Sequence, residues 1–141
     1  MSTIAMPDRR MPWHVWVVAI LALLWNGSGA YTIMMAQSGR LPDMSVDERA
    51  YYAAQPSWFV VATDIALLAA LAGAAALLLR SRTAAGLFAA SLVAIFVTNA
   101  YDLAAGTSRV LVSRGALVVT VIIAVIAILE LAYGWAINKR V

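Results

Sequence analysis

The 141-residue sequence contains no cysteine, a single histidine and few charged residues. The absence of cysteine excludes disulfides and thiolate metal sites, and it leaves the redox compartment open. A histidine-based metal site or a Ser-His-Asp triad would have to be built around His14, which stands at the edge of an apolar run. Charged residues make up only 12% of the chain. Hydrophobic residues make up 64%, which is far above their proportion in soluble domains. The solvent of this chain is therefore mostly lipid.

Four apolar segments are each long enough to cross a bilayer, which requires about 20 residues. They cover residues 13–36, 57–79, 84–105 and 116–137. The link between the second and third segments is very short, so these two helices must form an antiparallel hairpin. We therefore predict that residues 1–141 form a single all-α domain. It would be a polytopic membrane protein, an antiparallel bundle of four transmembrane helices.

The loop between the first two spans predicts a short interfacial helix. Ser45 and Glu48 have the spacing of a capping box, and Tyr51 and Tyr52 suit the headgroup region. Pro56 then suits the start of the second span. The alternative for this loop is a plain linker.

The first span contains a polar interruption, "NGSG", at residues 26–29. The preceding basic and apolar residues resemble a signal peptide, with small residues at a cleavage site. However, the apolar pattern resumes after Gly29 as "AYTIMMA". We therefore favour a polar notch inside a continuous helix.

The distribution of lysine and arginine favours a cytoplasmic location for both termini. With four spans, the termini share one side of the membrane with the link between the second and third spans. That side holds most of the basic residues, namely Arg9, Arg10, Arg80, Arg82, Lys139 and Arg140. We predict a multi-pass protein of a bacterial inner membrane.

Polar side chains inside the spans are candidates for function because placing them in lipid is costly. At about 1.5 Å per residue, most of them lie in one layer in the outer third of the membrane. That layer could bind a hydroxylated or cationic solute. Alternatively, its side chains form interhelical hydrogen bonds that only hold the bundle in register. The solute-binding candidates are Asn26, Asp64, Thr98, Asn99, Asp102 and Thr120.

Two intramembrane acids require separate consideration. Asp64 lies opposite the alanine ridge of its helix, so we expect Asn26, Thr120 or another subunit to cover it. Glu130 is expected to lie alone in the inner half, where it would snorkel or pair with a basic residue such as Arg82. Replacement of Asp64 is therefore expected to have the larger effect.

Small residues recur at helical spacing in the second and third spans. Such residues let helix backbones approach closely, and this drives packing within a bilayer. The predicted packing positions are Ala66, Ala70, Gly73, Gly86 and Ala90.

Three stretches, "WNGSGAYTIMMAQ", "AYYAAQPSWFVVA" and "LLLRSRTAA", carry a resemblance to a known family. The chain resembles small four-helix bacterial membrane proteins labelled "sugar transporter" or uncharacterised membrane protein. The resemblance implies carbohydrate transport, and it implies no role for any particular residue.

The sequence contains no phosphate loop, H-E-x-x-H motif or nucleophile elbow, so no enzyme activity is expected. It also lacks a basic patch with interleaved aromatics, which argues against nucleic acid as a partner. We expect no cofactor and no metal. The expected partners are the lipid bilayer and either further copies of the chain or a larger membrane complex. Two functions remain open: binding or transport of a small solute, such as a sugar, in an oligomer, or a non-transporting accessory or scaffold role.

Overall fold

The computed structural model describes residues 12–106 and 114–139 of the chain. These residues form five helices, of which four are long and apolar enough to cross a membrane. The all-α class, the four spans and the short additional helix are therefore confirmed, with helix ends within two residues of those predicted. The helices are α1 (Trp13–Gln37), α2 (Val46–Ala54), α3 (Ser57–Leu78), α4 (Ala84–Ala105) and α5 (Arg114–Asn138).

The helix α1 runs without a break through its polar notch. The Ser28 hydroxyl donates to the Trp25 carbonyl oxygen at 2.9 Å, and the Thr32 hydroxyl donates to the Ser28 carbonyl oxygen at 2.9 Å. These hydroxyl groups are satisfied within their own helix, which makes them tolerable inside a bilayer. The prediction of a notch inside a continuous helix is confirmed.

The helix α2 begins with the predicted capping box. Ser45 Oγ accepts a hydrogen bond from the Glu48 backbone N–H at 3.2 Å, and the Ser45 backbone N–H donates to the Glu48 carboxylate at 2.8 Å. The backbone N–H and the hydroxyl of Ser45 both donate to the Glu48 carboxylate, which favours its ionised form and so lowers the pKa of Glu48. The helix ends at Ala54, and Pro56 is the N-cap residue of α3.

The four spans follow one another around the bundle in the order α1, α3, α4, α5. Helix α3 packs against both α1 and α4, and α4 also packs against α5. The ring is completed by side chains of α1 and α5. His14 and Tyr133 meet edge to face with ring centroids 6.4 Å apart, and Asn26 hydrogen-bonds to Glu130.

The end of the bundle that lies away from α2 is filled by apolar side chains. The largest is Phe88 of α4, which is 2% exposed. A Cβ atom added to Gly73 of α3 would lie 2.9 Å from the Phe88 ring, and one added to Gly134 of α5 would lie 3.2 Å from it. The ring therefore occupies the space that two glycines leave between three helices. We call Phe88, Gly73, Gly134 and the buried residues around them the Phe88 layer. Those buried residues include Val15, Ala19, Ala74, Leu77 and Ala84.

The packing positions predicted from small residues are buried on α3 but exposed on α4. Ala66, Ala70 and Gly73 are buried on α3. The prediction is wrong for Gly86 and Ala90 of α4, because both are exposed and no neighbouring atom lies within 4 Å of a Cβ built at Gly86. Each residue turns a helix by about 100°, and the buried face of α4 carries a different set of residues. That set is Ala84, Phe88, Ser91 and Thr98.

Replacing Gly73 with alanine should lower the free energy of unfolding by about 1–3 kcal/mol, because the new methyl group would overlap the Phe88 ring. Gly29→Ala is the matched control, since nothing lies within 4 Å of a Cβ at that helical position. Unfolding in detergent micelles measures both variants. If Gly73→Ala and Gly29→Ala have equal stability, the close approach at the Phe88 layer is contradicted.

Candidate functional site

A cavity of about 430 Å³ lies between all four spans, on the α2 side of the Phe88 layer. At its deep end it is lined by Ala70, Ser91 and Glu130. Each of these residues lies about one helical turn from a member of the Phe88 layer: Ala70 from Gly73, Ser91 from Phe88 itself, and Glu130 from Gly134. The Phe88 layer therefore forms the floor of the cavity.

Helical periodicity explains why one face of α4 is polar while its other faces are apolar. Residues three and four positions apart share a face of a helix, and the cavity-lining residues of α4 follow this spacing. They place a hydroxyl group at the floor and an amide and a carboxylate nearer to α2. The α4 lining consists of Ser91, Ile95, Thr98, Asn99 and Asp102.

A hydrogen bond crosses the deep end of the cavity from α1 to α5. The side-chain nitrogen of Asn26 donates to Glu130 Oε1 at 2.8 Å and to the Ala22 carbonyl oxygen at 2.9 Å. The expectation that Glu130 lies alone or pairs with Arg82 is wrong. Glu130 continues the cavity-facing side of α5 beyond Ala127, so its side chain reaches the centre of the bundle, whereas Arg82 is exposed in the link between α3 and α4.

Several polar atoms that line the cavity have no hydrogen-bond partner within residues 12–106 and 114–139. The Ser91 side chain is the most buried of them, at 2% exposure, and its hydroxyl is unpartnered. The Gln37 side-chain nitrogen and the Gln55 side-chain oxygen are also buried and unpartnered. Because unpaired buried polar atoms cost about 1–3 kcal/mol each, these three favour a polar occupant.

Thr98 differs from Ser91 in what it can offer to an occupant. Its hydroxyl donates within α4, to the carbonyl oxygens of Ala94 at 3.1 Å and Ile95 at 3.0 Å. The hydroxyl proton is therefore already used, and only the oxygen lone pairs remain for a ligand. Ser91 can both donate and accept, so it is the more versatile of the two hydroxyl groups in this wall.

The end of the cavity nearest α2 carries a tyrosine–carboxylate pair. The Tyr51 hydroxyl donates to Asp102 Oδ2 at 2.9 Å, which links α2 to α4. Burial and the nearby Asp102 carboxylate both raise the pKa of Tyr51. Burial, together with Glu48 and Asp102, also raises the pKa of Tyr52. Both phenols therefore stay protonated at neutral pH, and Tyr51 keeps its donor for Asp102.

Five of the six solute-binding candidates line this cavity, and Asp64 is the exception. Asp64 is half-buried and makes no hydrogen bond with the part of the chain that the structure describes. The expectation that Asn26 or Thr120 covers it is wrong, because the Asn26 amide donates to Glu130 and Ala22 instead, and Asp64 lies outside the cavity that Asn26 and Thr120 line. The lining candidates are Asn26, Thr98, Asn99, Asp102 and Thr120.

The sequence-based candidates omit two groups of lining residues. Ser91 has the same helical spacing as Thr98 and Asp102, so periodicity alone could have added it. Tyr51 and Tyr52 were assigned to the headgroup region, yet both rings line the cavity together with Phe59. No sequence signal distinguishes a tyrosine that faces lipid headgroups from one that faces a cavity below them.

In comparisons with protein-family models, curated proteins and solved structures, nothing matches this chain. The family resemblance therefore stays a prediction, and function has to be inferred from the cavity. Within the described residues, no group of three or more histidine, aspartate or glutamate side chains could hold a metal ion. The chemistry that the site offers is thus hydrogen bonding, carboxylate charge and aromatic surface.

Proposed function

We propose that the protein binds and transports a small solute across a bacterial inner membrane, with the cavity as its solute chamber. The observation that carries this proposal is a cavity of about 430 Å³ that lies between all four spans and is lined by hydrogen-bonding atoms with no partner among the described residues. Small-molecule sites have volumes of about 300–1,000 Å³ and combine apolar walls with a few polar groups. The cavity has this size and this mixture.

The chamber has two unlike ends, as a transport site with access from one side requires. Polar side chains extend from Asn26 and Glu130 to the α2 end, whereas the Phe88 layer closes the opposite end. If the termini are cytoplasmic, as the basic residues predict, the α2 end faces the periplasm. Passage of a solute then requires the helices around the Phe88 ring to move apart. Gly73 and Gly134 are the positions at which α3 and α5 contact that ring.

A cysteine at position 99 should react with a hydrophilic thiol reagent from the α2 side. The native chain has no cysteine, so a single introduced thiol is unambiguous. Intact cells that express Asn99→Cys would be treated with membrane-impermeant trimethylammonium-ethyl methanethiosulfonate, and modification would be read by mass. Only a thiol in contact with water ionises and reacts quickly. We therefore expect rapid modification.

Val97→Cys is the matched control, because Val97 is 49% exposed and lies two residues away on the opposite, outward face of α4. At that position the thiol should contact lipid and stay unmodified. An unreactive Asn99→Cys would contradict the chamber. It would favour the structural alternative, in which the polar residues only hold the helices in register. Reaction only after the cells are permeabilised would contradict the proposed orientation.

A further inference from the structure

We infer that the solute is an organic cation, an ammonium ion with apolar substituents, and that Glu130 is its counter-charge at the deep end of the chamber. This inference rests on the proposed solute chamber and adds the chemical class of its ligand. It is carried by three features of the lining: the acid at the floor, the absence of a basic residue from the described part of the wall, and the aromatic rings.

The charge of the described lining is entirely negative. Glu130 and Asp102 are its only charged residues, and it contains no lysine, arginine or histidine. Glu130 accepts a hydrogen bond from the neutral Asn26 amide, which orients the carboxylate without neutralising it. A carboxylate inside a membrane requires a counter-charge or a proton. A bound cation supplies that counter-charge, whereas a neutral sugar would not.

The aromatic residues of the wall suit a cation that carries apolar groups. Tyr51, Tyr52 and Phe59 line the α2 end of the chamber, through which a solute would enter, and Trp25 follows it nearer the deep end, next to Asn26. Ring faces attract ammonium ions, most strongly where water is excluded. A metal ion is most often held by several carboxylate or imidazole groups, and the described residues contain no group of three or more histidine, aspartate or glutamate side chains that could hold one. A carboxylate at the floor, reached along a path lined by aromatic rings, therefore favours an organic cation over a sugar or a metal ion.

A pair of ligands with the same shape tests this inference. Choline carries a trimethylammonium group, and 3,3-dimethyl-1-butanol carries the same group with carbon in place of the charged nitrogen. The purified protein would be kept in polyoxyethylene-ether micelles, which contain neither sugar nor ammonium groups. Calorimetry and thermal unfolding would measure binding. We expect choline or the larger tetraethylammonium to bind and to raise the unfolding temperature, and the neutral alcohol to do neither.

Two variants assign the effect to Glu130. In Glu130→Gln the side-chain oxygen can still accept from Asn26, so the bridge between α1 and α5 is kept while the charge is lost. Its affinity for the cation should fall about tenfold or more. Asp64→Asn is the matched control, because it removes an intramembrane acid that does not line the chamber. Its affinity should equal that of the parent.

A second measurement uses charge rather than affinity. At Asn99→Cys, a cationic methanethiosulfonate should react faster than its anionic sulfonate counterpart, and Glu130→Gln should reduce this preference. The inference is overturned if neither cation binds, if the neutral alcohol binds equally well, or if Glu130→Gln leaves cation affinity unchanged. Binding of glucose without binding of either cation would overturn the inference and leave the solute chamber standing. An unreactive Asn99→Cys would instead remove the chamber itself.

Discussion

Replacing Phe88 with alanine is expected to lower the free energy of unfolding by about 2–4 kcal/mol. The Phe88 side chain is 2% exposed and packs against Gly73 and Gly134, so it joins three of the four spans. Its removal would leave a void that the neighbouring helices can fill only in part. Within a membrane the substitution removes van der Waals contacts but exposes no apolar surface to water. The expected loss of unfolding free energy is therefore smaller than the largest losses measured in the cores of soluble proteins.

Phe96→Ala is the control for this prediction, since it makes the same substitution in the same helix. Phe96 is 57% exposed, so its ring faces outward from the bundle. Lipid can fill the space that this ring leaves, and we expect a loss of less than about 1 kcal/mol. Unfolding of both variants in one detergent gives the comparison. Equal losses would mean that the Phe88 layer does not hold α3, α4 and α5 together.

The fold was predictable because bilayer thickness and local backbone chemistry determine most of it. A span needs about 20 apolar residues, so the four helices were evident from length and composition. Pro56 and the Ser45–Glu48 capping box act within a few residues, and both are found where the sequence predicts them. The choice between a polar notch and the end of a helix also followed from local pattern, because apolar residues resume after Gly29.

The residues of the candidate site were predictable only where their depth in the membrane and their spacing along one helix were enough to place them. The polar side chains Asn99 and Asp102 share a face of α4 with Thr98, and all three line the cavity. Asp64 was misplaced because the rotation of α3 about its own axis depends on which neighbours it packs against. Glu130 was misplaced because a depth counted along one helix takes no account of a partner that reaches it from another helix.

The small-residue pattern shows the same limit for packing. Alanine and glycine are frequent on more than one face of α4, so spacing alone cannot select the face that touches α3. The structure places Phe88 at that interface, opposite Gly73, and leaves Ala90 exposed. A large ring against a glycine fills an interface as well as two small residues do, and a pattern search for small residues cannot find it.

The bridge between Asn26 and Glu130 should be measurable as a coupling energy of about 1–2 kcal/mol. Asn26→Leu leaves the Glu130 carboxylate in the membrane interior without its donor, and Glu130→Leu leaves the Asn26 amide with one unused hydrogen. Each single variant should therefore be destabilised. The double variant should lose less than the sum of the two, because it leaves neither group unpaired. Unfolding of all four proteins in one detergent completes this double-mutant cycle.

Asp64→Leu provides the reference for a membrane acid outside the bridge. Asp64 is half-buried and has no hydrogen bond to lose within the described residues, so an apolar side chain at this position should leave stability unchanged or raise it. We therefore expect Glu130→Leu to destabilise the protein more than Asp64→Leu does. The sequence alone predicts the reverse, with Asp64 as the more important acid. If the cycle shows no coupling, then α1 and α5 are not joined through the floor of the cavity. If Asp64→Leu destabilises the protein more than Glu130→Leu does, then the polar layer is centred on Asp64, with a partner supplied from outside these four helices.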